Sequence, residues 1–410
     1  MNFEQSVEYL LSLGHETLAI KLGLRNTELL LAALDNPERA FPSVQIAGTN
    51  GKGSTAVMLD SICRAAGIRT GLYTSPHLVS ITERIKVSGV EITREDFAAC
   101  ATVVRDVSEQ LEALPTFFEQ VTAIALLAFR NARVELAILE TGLGGRLDST
   151  TAANARIVGI TSIAFDHEEY LGNTIESIAA EKAAIIRPGV RAVIARQPEP
   201  AALDVLLKRC EQVGVTPVLA DSIATDGLVL GLRGQHQIDN AAVAIALAEL
   251  LRAEGFAITD SAIADGLKTA RHAARLELIP HKPSFLIDGA HNPAGAQSLR
   301  AYLDQFAQRP LTLVFGAMRD KQLEQMGEIL FPVADTLVLT TIDNPRSASI
   351  EMLQTIAHRF AKGTVLASES STEALRIALA NTLPDGLICI AGSLYLAGEM
   401  RPPILELGES

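Results

Sequence analysis

The sequence predicts an α/β protein built from two sheet domains, and three observations support this. An apolar run, a loop rich in glycine with one lysine, and a helical pattern follow one another over residues 44–66. Strand-like and helix-like segments then alternate along the chain, and from residue 284 the alternation starts afresh without a second glycine–lysine loop. We therefore expect an N-terminal domain with a mostly parallel sheet and a smaller, Rossmann-like C-terminal α/β domain.

The loop at residues 47–55 reads Ala-Gly-Thr-Asn-Gly-Lys-Gly-Ser-Thr. Its glycines allow backbone N–H groups to face an anion, Lys52 can neutralise phosphate charge, and the hydroxyl of Ser54 or Thr55 can reach a phosphate or its Mg²⁺. The spacing differs from the standard P-loop because Gly53 separates the lysine from the hydroxyl. The alternative is an ordinary glycine-rich turn. We interpret the segment as a variant phosphate loop, so the N-terminal domain is predicted to be a P-loop-type ATPase domain.

Composition excludes several classes of protein. The chain has 410 residues, of which 48% are hydrophobic and 20% charged, as in globular proteins with two domains. A net charge of −13 without a basic tract argues against nucleic acid or an anionic membrane as a partner. No apolar run reaches the length of a membrane helix, and the first residues lack a signal-peptide layout, so we expect a cytoplasmic protein. Four dispersed cysteines, Cys63, Cys100, Cys210 and Cys389, suggest neither a zinc site nor a disulfide framework.

The first domain should begin with short helices over residues 1–40, followed by the phosphate-loop strand. A second strand at 69–73 leads to Ser75, and a buried strand at 134–139 leads to Glu140 and a loop with three glycines. Parallel sheets bind ligands at the carboxyl ends of their strands, so Ser75 is placed at a ligand-binding edge, and the carboxylate of Glu140 is a candidate magnesium ligand. A lone acid there is more often a helix cap, and His167 and Lys182, taken singly, are more often structural or solvated than catalytic. The other predicted strands are 157–161, 192–195 and 217–219. The predicted helices are 93–111, 117–130, 174 onward, 201–213, a long apolar helix that residues 234–240 lead into and that ends near residue 251, and 258–270.

The second domain should follow a hinge at residues 271–275. We place the domains at 1–271 and 276–410. Its first strand, 284–287, ends in Asp288-Gly289-Ala290-His291-Asn292-Pro293 and a helix. The remaining predicted strands are 311–315, 336–339, 364–367 and 386–391, and the helices are 322–331, 350–361 and 372–381.

Seven segments of the sequence together resemble one family, the folylpolyglutamate synthase and dihydrofolate synthase enzymes, which are relatives of the Mur ligases. The segments are AGTNGKGST (47–55), YTSPHL (73–78), FFEQVTAIA (117–125), ETGLGGRLD (140–148), DHEEYLGNTIESIAAEKAAII (166–186), GQHQIDNA (234–241) and IDGAHNP (287–293).

The resemblance implies ATP-dependent amide bond formation. A substrate carboxylate attacks the γ-phosphorus of ATP, and the amine of L-glutamate then attacks the acyl phosphate. Implied substrates are ATP, L-glutamate, dihydropteroate and reduced folates, with two Mg²⁺ sites, no nucleic acid or membrane partner, and a monomeric state. The motifs do not separate dihydrofolate synthesis from glutamate elongation, and we favour a bifunctional enzyme over a monofunctional one.

The resemblance also implies the roles of individual residues. Lys182 matches a lysine that the family carbamylates, which would turn an ammonium into a ligand with carboxylate-like oxygens. Lys52, Lys182 and His291 are the implied catalytic residues. The ATP-binding positions are Gly48, Thr49, Asn50, Gly51, Lys52, Gly53, Ser54, Thr55, Asn240, Arg275, Asp288 and His291; the metal positions are Ser75, Glu140, His167 and Lys182; the substrate positions are Phe118, Thr122 and Asp148 on the pteridine side and Ser393 and Tyr395 for glutamate.

For Phe118 the pocket role and a plain core role stay open. The chain also departs from the family pattern in two places. It has Gln322 where Asp is common, and Thr151 where the family often has Asn, which affects the expected positioning of substrates.

Two other functions remain open at this point. A Mur-type peptidoglycan ligase would share the ATP chemistry, but only about 46 residues precede the loop, too few for a typical uridine-nucleotide domain. A nucleotide-dependent switch that binds without ligating would leave the acid, histidine and lysine at strand ends without a role.

Overall fold

A computed structural model of the protein describes residues 1–14 and 23–407. The predicted helical region at 1–40 contains α1 (Phe3–Ser12) and α2 (Arg25–Ala33), and part of that prediction, at 15–22, lies outside the described residues. The chain divides into two compact units, one of Met1–Gly231 with Ile238–Arg271 and one of Leu232–Gln237 with His272–Ser410. The domain limits proposed from the sequence, 1–271 and 276–410, stay a prediction.

The first unit contains a sheet in the order β4-β3-β2-β5-β1-β6-β7-β8. From β2 to β8 all neighbouring strands are parallel, and β3 and β4 are added antiparallel at one edge. The strands are β1 Ser43–Ala47, β2 Thr70–Tyr73, β3 Ile85–Val87, β4 Val90–Glu91, β5 Leu136–Glu140, β6 Ile157–Ile160, β7 Arg191–Ile194 and β8 Val218–Leu219.

Helices follow most strands and cover the sheet, as expected when both faces of a parallel sheet are apolar. All residues of the central strands β1 and β5 are buried. The helices along the chain up to residue 271 are, after α1 and α2, α3 Lys52–Ala65, α4 Arg94–Ser108, α5 Phe117–Asn131, α6 Glu168–Leu171, α7 Ile175–Ala183, α8 Pro200–Val213, α9 His236–Ala253 and α10 Asp260–Thr269.

The second unit contains a sheet in the order β13-β12-β11-β14-β10-β9, in which β9 alone is antiparallel to its neighbour. Its strands are β9 Glu277–Ile279, β10 Ser284–Ile287, β11 Leu311–Phe315, β12 Thr336–Thr340, β13 Thr364–Ser368 and β14 Leu387–Ala391, and its helices are α11 Pro293–Phe306, α12 Leu323–Leu330, α13 Ile350–Phe360, α14 Ser371–Asn381 and α15 Leu394–Leu407.

The predicted fold class, α/β with two mostly parallel sheets, is confirmed. The antiparallel strands β3, β4 and β9 were not predicted, because each has only two or three residues and so carries no readable alternation. Helix α15 was also missed, since Pro402 and Pro403 within it argue against a helix in sequence. Among the described residues, no helix is both long and apolar enough to cross a membrane.

Candidate active site

The phosphate loop joins β1 to α3, and two of its glycines are required by close contacts. Gly48 has φ +150° and Gly51 has φ +90°. A Cβ at Gly48 would lie 1.9 Å from Oγ1 of Thr161, and one at Gly51 would lie 2.1 Å from Oδ1 of Asn240. A side chain at either position would therefore displace the loop.

Two amides of the loop are already bonded within the chain. The N–H groups of Thr49 and Asn50 donate to the carbonyl of Ser162 at 2.9 and 3.1 Å, and the Thr49 hydroxyl bonds with Ala164. An anion would therefore be met by the first turn of α3, whose N–H groups lack intrahelical acceptors. The sequence predicted an anion site here. It did not show that the amides of Thr49 and Asn50 are bonded within the chain while those of the first turn of α3 face the anion.

Two lysines converge on one carbonyl of this loop. The Nζ of Lys52 donates to the carbonyls of Gly48 and Thr49, both at 3.1 Å, and the Nζ of Lys182, from α7, donates to the Gly48 carbonyl at 2.9 Å. Lys182 is buried. Burial, and next the charge of Lys52, lower the pKa of Lys182 to about 7, against the opposing effect of Asp166. Near neutral pH much of Lys182 is therefore an uncharged amine.

This shift predicts a pH dependence of stability for the metal-free protein. The pKa of Lys182 is about 7 in the folded protein, against 10.5 for an ordinary lysine, so between these pH values the unfolded chain binds a proton that the folded chain lacks. The free energy of unfolding should therefore rise with pH from about 7 to 10.5. The destabilisation caused by Lys182 is fully present below pH 7 and is lost at alkaline pH. Compared with Lys182→Met, the rise is on the order of 4 kcal/mol.

Urea unfolding from pH 6 to about 10.5, without bicarbonate or Mg²⁺, measures the difference between wild type and Lys182→Met. The matched control is Lys208→Met, since Lys208 is exposed on α8. Curves for wild type and Lys182→Met that stay parallel over the window would contradict the shifted pKa.

Ser75 and Glu140 lie at the ends of the neighbouring strands β2 and β5. The Ser75 N–H donates to Oε2 of Glu140 at 3.1 Å, and Glu140 is only 5% exposed. The strand order β2-β5-β1-β6 places Ser75, Glu140, the phosphate loop and the segment before His167 in a row at one edge. The structure thus brings together the strand ends that the sequence singled out.

His167 is held in a left-handed conformation, φ +53°, as the residue preceding α6. Its N–H donates to Oδ1 of Asp166 at 2.9 Å, and its ring Nε2 lies 4.0 Å from the same oxygen. The His167 side chain is 37% exposed, whereas that of Asp166 is 7% exposed. Asp166 orients the backbone of His167 and was not assigned a role from the sequence.

The donor set at this edge suits Mg²⁺, which prefers oxygen ligands and keeps several waters or substrate oxygens. A carboxylate (Glu140) and a hydroxyl (Ser75) are available there. In addition, Oγ1 of Thr55, the last residue of the phosphate loop, is buried without a hydrogen-bond partner. Within the described residues no three His, Cys, Asp or Glu side chains form a metal cluster. Triphosphate oxygens and water are other ligands that Mg²⁺ commonly takes.

The glycine loop after β5 is organised by Asp148. Its carboxylate accepts hydrogen bonds from the N–H groups of Gly142 and Leu143 and from the N–H and hydroxyl of Thr150, between 2.5 and 3.0 Å. Burial raises the pKa of Asp148, and these hydrogen bonds oppose the rise. The side chain predicted to meet the pteridine thus has both oxygens bonded to its own loop.

Phe118 lies between this loop and the core. It is partly buried, its ring centroid is 6.2 Å from that of Tyr73, and a Cβ at Gly142 would lie 2.4 Å from its Cζ. Thr122, one turn along α5, donates its hydroxyl to Oη of Tyr73 at 3.4 Å. Phe118 therefore contributes to the core and also borders the candidate site, so both of its predicted roles are compatible with its position.

In the second unit the predicted residues gather at the ends of the adjacent strands β10 and β14. The carboxylate of Asp288 accepts from the N–H groups of Leu276 and Ala290 at 2.8 and 2.9 Å. Nδ1 of His291 lies 2.8 Å from the Gly289 carbonyl. Because a carbonyl only accepts, Nδ1 is the donor in this hydrogen bond.

Arg275 and the segment after β14 lie against the same turn. A Cβ at Gly289 would lie 2.6 Å from Nη1 of Arg275 and 2.3 Å from Cδ2 of Leu394. Burial raises the pKa of Asp288, and the charges of Arg275 and His236 oppose this. Next to Leu394, Ser393 is buried and its Oγ accepts the N–H of Tyr395 at 3.1 Å.

Gln197 is a site residue that the sequence did not indicate. Its Oε1 accepts the N–H of Ile163, and its Nε2 donates to the carbonyls of Thr161 and Ala195. It thereby fixes the segment whose Ser162 carbonyl holds the phosphate loop. A single glutamine after a strand carries no recognisable signal, so only the tertiary structure shows this role.

Two family models match the chain. Residues 46–201 match the Mur ligase middle domain, and residues 274–394 match the Mur ligase glutamate ligase domain. A dihydrofolate synthase/folylpolyglutamate synthase of Bacillus subtilis is 34% identical, over 95% of this chain and 96% of its own length. The chain belongs to the dihydrofolate synthase/folylpolyglutamate synthase family. The resemblance stated from the sequence motifs is confirmed.

Another relative of this family, a probable bifunctional folylpolyglutamate synthase/dihydropteroate synthase of Halobacterium salinarum, is 33% identical over 98% of the chain. The chain spans about half, 51%, of that longer relative.

Solved structures of the family agree with this fold. The Mycobacterium tuberculosis folylpolyglutamate synthase complexed with ADP has a TM-score of 0.89 at 33% identity, covering 98% of this chain and 99% of its own. A bifunctional folylpolyglutamate synthase/dihydrofolate synthase with Mn, AMPPNP and L-glutamate bound has a TM-score of 0.85 at 28% identity, covering 99% of this chain and 98% of its own. The first of these two structures thus holds ADP, and the second holds a nucleotide analogue, manganese and L-glutamate.

Proposed function

We propose that this ATP-dependent ligase is bifunctional: it joins L-glutamate to dihydropteroate, forming dihydrofolate, and adds further glutamates to reduced folates. The observation that carries the proposal is the row of strand ends β2, β5, β1 and β6, which presents Ser75, Glu140, the phosphate loop and the His167 segment at one edge. A full-length match to relatives with this activity supports it.

The reaction needs a carboxylate to become a good acyl donor. One carboxylate oxygen of the pteroate or folate attacks the γ-phosphorus of ATP, and ADP leaves. The glutamate nitrogen then attacks the acyl carbon, the C–O bond to phosphate breaks, and the nitrogen loses a proton. Two anions must approach in the first step, so positive charge near the γ-phosphate lowers the barrier. Mg²⁺, when bound, would neutralise triphosphate charge and orient its oxygens.

Residues of the first unit take separate parts in this step. Lys52, in the phosphate loop, supplies positive charge to the triphosphate. Gly48, Gly51 and the first turn of α3 allow the backbone to approach the triphosphate oxygens closely. The carboxylate of Glu140 and the hydroxyl of Ser75 would hold the metal, with the imidazole of His167 as a further ligand. The Phe118 ring and the Thr122 hydroxyl would line the pteridine side.

For Lys182 we propose carbamylation. An amine with a pKa of about 7 is partly unprotonated at neutral pH, and its lone pair can add to CO₂ to give a carbamate with loss of one proton. The carbamate would be an anion beside Lys52 and a metal ligand. Native mass spectrometry with and without bicarbonate tests this: wild type should gain the mass of one CO₂ and Lys182→Met should not. No such difference would contradict the modification.

In the second unit we assign Arg275, Asp288 and His291 to ATP, together with Asn240 from α9, and Ser393 and Tyr395 to glutamate. Arg275 offers charge, and the imidazole of His291 is oriented by the bond between its Nδ1 and the Gly289 carbonyl. The two loops carrying these residues are joined, since the N–H of Gly392 donates to the carbonyl of Ala290 at 3.0 Å.

His291→Ala should lower kcat about 10²-fold and leave the protein folded. The ring is partly buried and makes a local bond to the Gly289 carbonyl, so its removal costs little packing. Steady-state kinetics with a thermal unfolding scan measures both effects. His358→Ala, at an exposed position on α13, is the control. A wild-type kcat in His291→Ala would remove His291 from the site.

The function is tested by phosphate release from MgATP with glutamate, using dihydropteroate, a reduced folate monoglutamate or a uridine-nucleotide muramyl acceptor. Turnover with the first two establishes the bifunctional ligase, and turnover with one of them assigns a single step. Turnover with the muramyl compound alone would overturn the folate assignment. We also propose a monomer, for which light scattering at working concentration is the measurement.

A further inference from the structure

Gln45 is a buried polar residue in the middle of the central strand β1, where apolar residues are usual. It pairs with Leu139 of β5 on one side and Val158 of β6 on the other. Burying an amide costs free energy unless its hydrogen bonds are made. The hydrogen bonds of Gln45 should therefore explain why a polar residue occupies this position. No role has been assigned to Gln45 above.

The side-chain amide of Gln45 donates to two threonine hydroxyls. Its Nε2 lies 3.0 Å from Oγ1 of Thr150 and 2.7 Å from Oγ1 of Thr151. Each hydroxyl donates onward, that of Thr150 to Oδ1 of Asp148 at 2.5 Å and that of Thr151 to the carbonyl of Gly145 at 2.7 Å. In every hydrogen bond of this buried network the donor thus lies on the β1 side and the acceptor on the side of the glycine loop.

The direction of these hydrogen bonds is fixed by the acceptors at their ends. A carboxylate and a carbonyl only accept, so both threonines must donate to them and must accept from Gln45. A reversed amide would compete for those protons. In the observed orientation Oε1 of Gln45 is buried and has no hydrogen-bond partner. The strand thus tolerates an unsatisfied oxygen while it keeps the two donor bonds.

The loop held by this network touches several parts of the proposed site. Gly142 lies against Phe118, and a Cβ at Gly145 would approach the carbonyls of Glu181 and Lys182 to 3.1 Å. The N–H of Arg146 donates to the Glu181 carbonyl at 3.0 Å. The loop starts two residues after Glu140. Its shape therefore affects the metal-side carboxylate and the helix that carries Lys182.

We propose that Gln45 is a positioning residue for the ligation reaction: through Thr150 and Thr151 it holds loop 142–148 so that Glu140 and Lys182 keep their places beside the phosphate loop. This rests on the proposed function. One departure from the family pattern, Thr151, is part of the network. The expected defect is in the chemical step, because a displaced reacting group costs rate even when substrates still bind.

The test uses Gln45→Met, which keeps the volume without the donors, with Thr151→Val as a second route to the same loss and Thr151→Ser as the conservative variant. Gln45→Met and Thr151→Val should each lower kcat about 10- to 100-fold with little change in KM for glutamate. Thr151→Ser should restore most of the rate. The double variant should lose no more than the worse single variant, since both remove one network.

A core variant of the same unit separates positioning from lost stability. Val104→Ala removes buried methyl groups of α4, away from the loop, and should lower Tm with a wild-type kcat. The proposal is overturned if Gln45→Met and Thr151→Val keep the wild-type kcat. It is also overturned if their kcat falls no further than that of Val104→Ala when the variants have the same Tm. If Gln45→Met does not fold, the comparison of kcat between Thr151→Val and Thr151→Ser tests the proposal. Wild-type turnover is measured first, so failure of the proposed function is seen independently.

Discussion

Lys52→Ala should abolish measurable ligation, lowering kcat by about 10³-fold or more. Removing one preorganised charge from a phosphoryl-transfer site typically costs 10²- to 10³-fold. Here the ammonium also donates to the carbonyls of Gly48 and Thr49, so its loss loosens the loop that would hold the triphosphate. The measurement is phosphate release at saturating MgATP, with binding of a fluorescent ATP analogue as a second readout.

Lys208→Ala serves as the matched control for Lys52→Ala, because Lys208 is exposed on α8 and outside the site. Its kcat should equal that of wild type. Loss of nucleotide binding together with turnover would place Lys52 in ground-state binding, whereas loss of turnover alone would place it in the transition state. If Lys52→Ala retains normal kinetics, the loop is only a structural turn and the assignment of the ATP site is wrong.

Glu140→Ala should lower kcat by about 10²-fold and raise the Mg²⁺ concentration needed for half-maximal rate about tenfold. The carboxylate is 5% exposed and accepts the N–H of Ser75, so alanine removes the proposed metal ligand and leaves that amide without this acceptor. The measurement is a Mg²⁺ titration of the initial rate at fixed ATP.

Glu140→Gln separates the two effects of the alanine variant. Its amide oxygen can still accept the Ser75 N–H, so the loop should stay in place while the charge is lost. We expect Glu140→Gln to keep the wild-type Tm and to show the same shift in Mg²⁺ dependence. Glu211→Ala, at an exposed position of α8, is the surface control. An unchanged Mg²⁺ titration in both Glu140 variants would exclude Glu140 as a ligand.

Several elements were predictable because local patterns determine them. The strands 284–287 and 311–315 were predicted at their observed limits, and the helix that begins at Phe117 at its first residue. Apolar strands between glycine-rich turns have few alternatives in an α/β chain. The antiparallel strands β3, β4 and β9 were missed because they exist through pairing with a neighbour rather than through their own sequence.

Candidate residues divide in the same way. Four candidates are identifiable because each lies at or after the carboxyl end of a strand, and the carboxyl ends of parallel strands share one edge. They are Lys52, Ser75, Glu140 and Asp288. The sequence did not identify Asp166, Gln197 and Gln45 as site residues. The role of such a carboxylate or amide depends on its hydrogen-bond partners, which the sequence pattern does not show. Asp148 illustrates the difference: its place in a glycine loop was visible, while its four bonds to that loop were not.

The sequence alone determined the α/β class, the phosphate loop and the family, because these depend on residue types at fixed spacing. Only the tertiary structure decided which atoms meet: that Lys182 shares the Gly48 carbonyl with Lys52, and that Gln45 reaches the loop after β5. The physical reason is that burial and hydrogen bonding act over short distances in space. The lowered pKa of Lys182 likewise follows from its burial and from the neighbouring charge of Lys52, and spacing along the chain cannot reveal either.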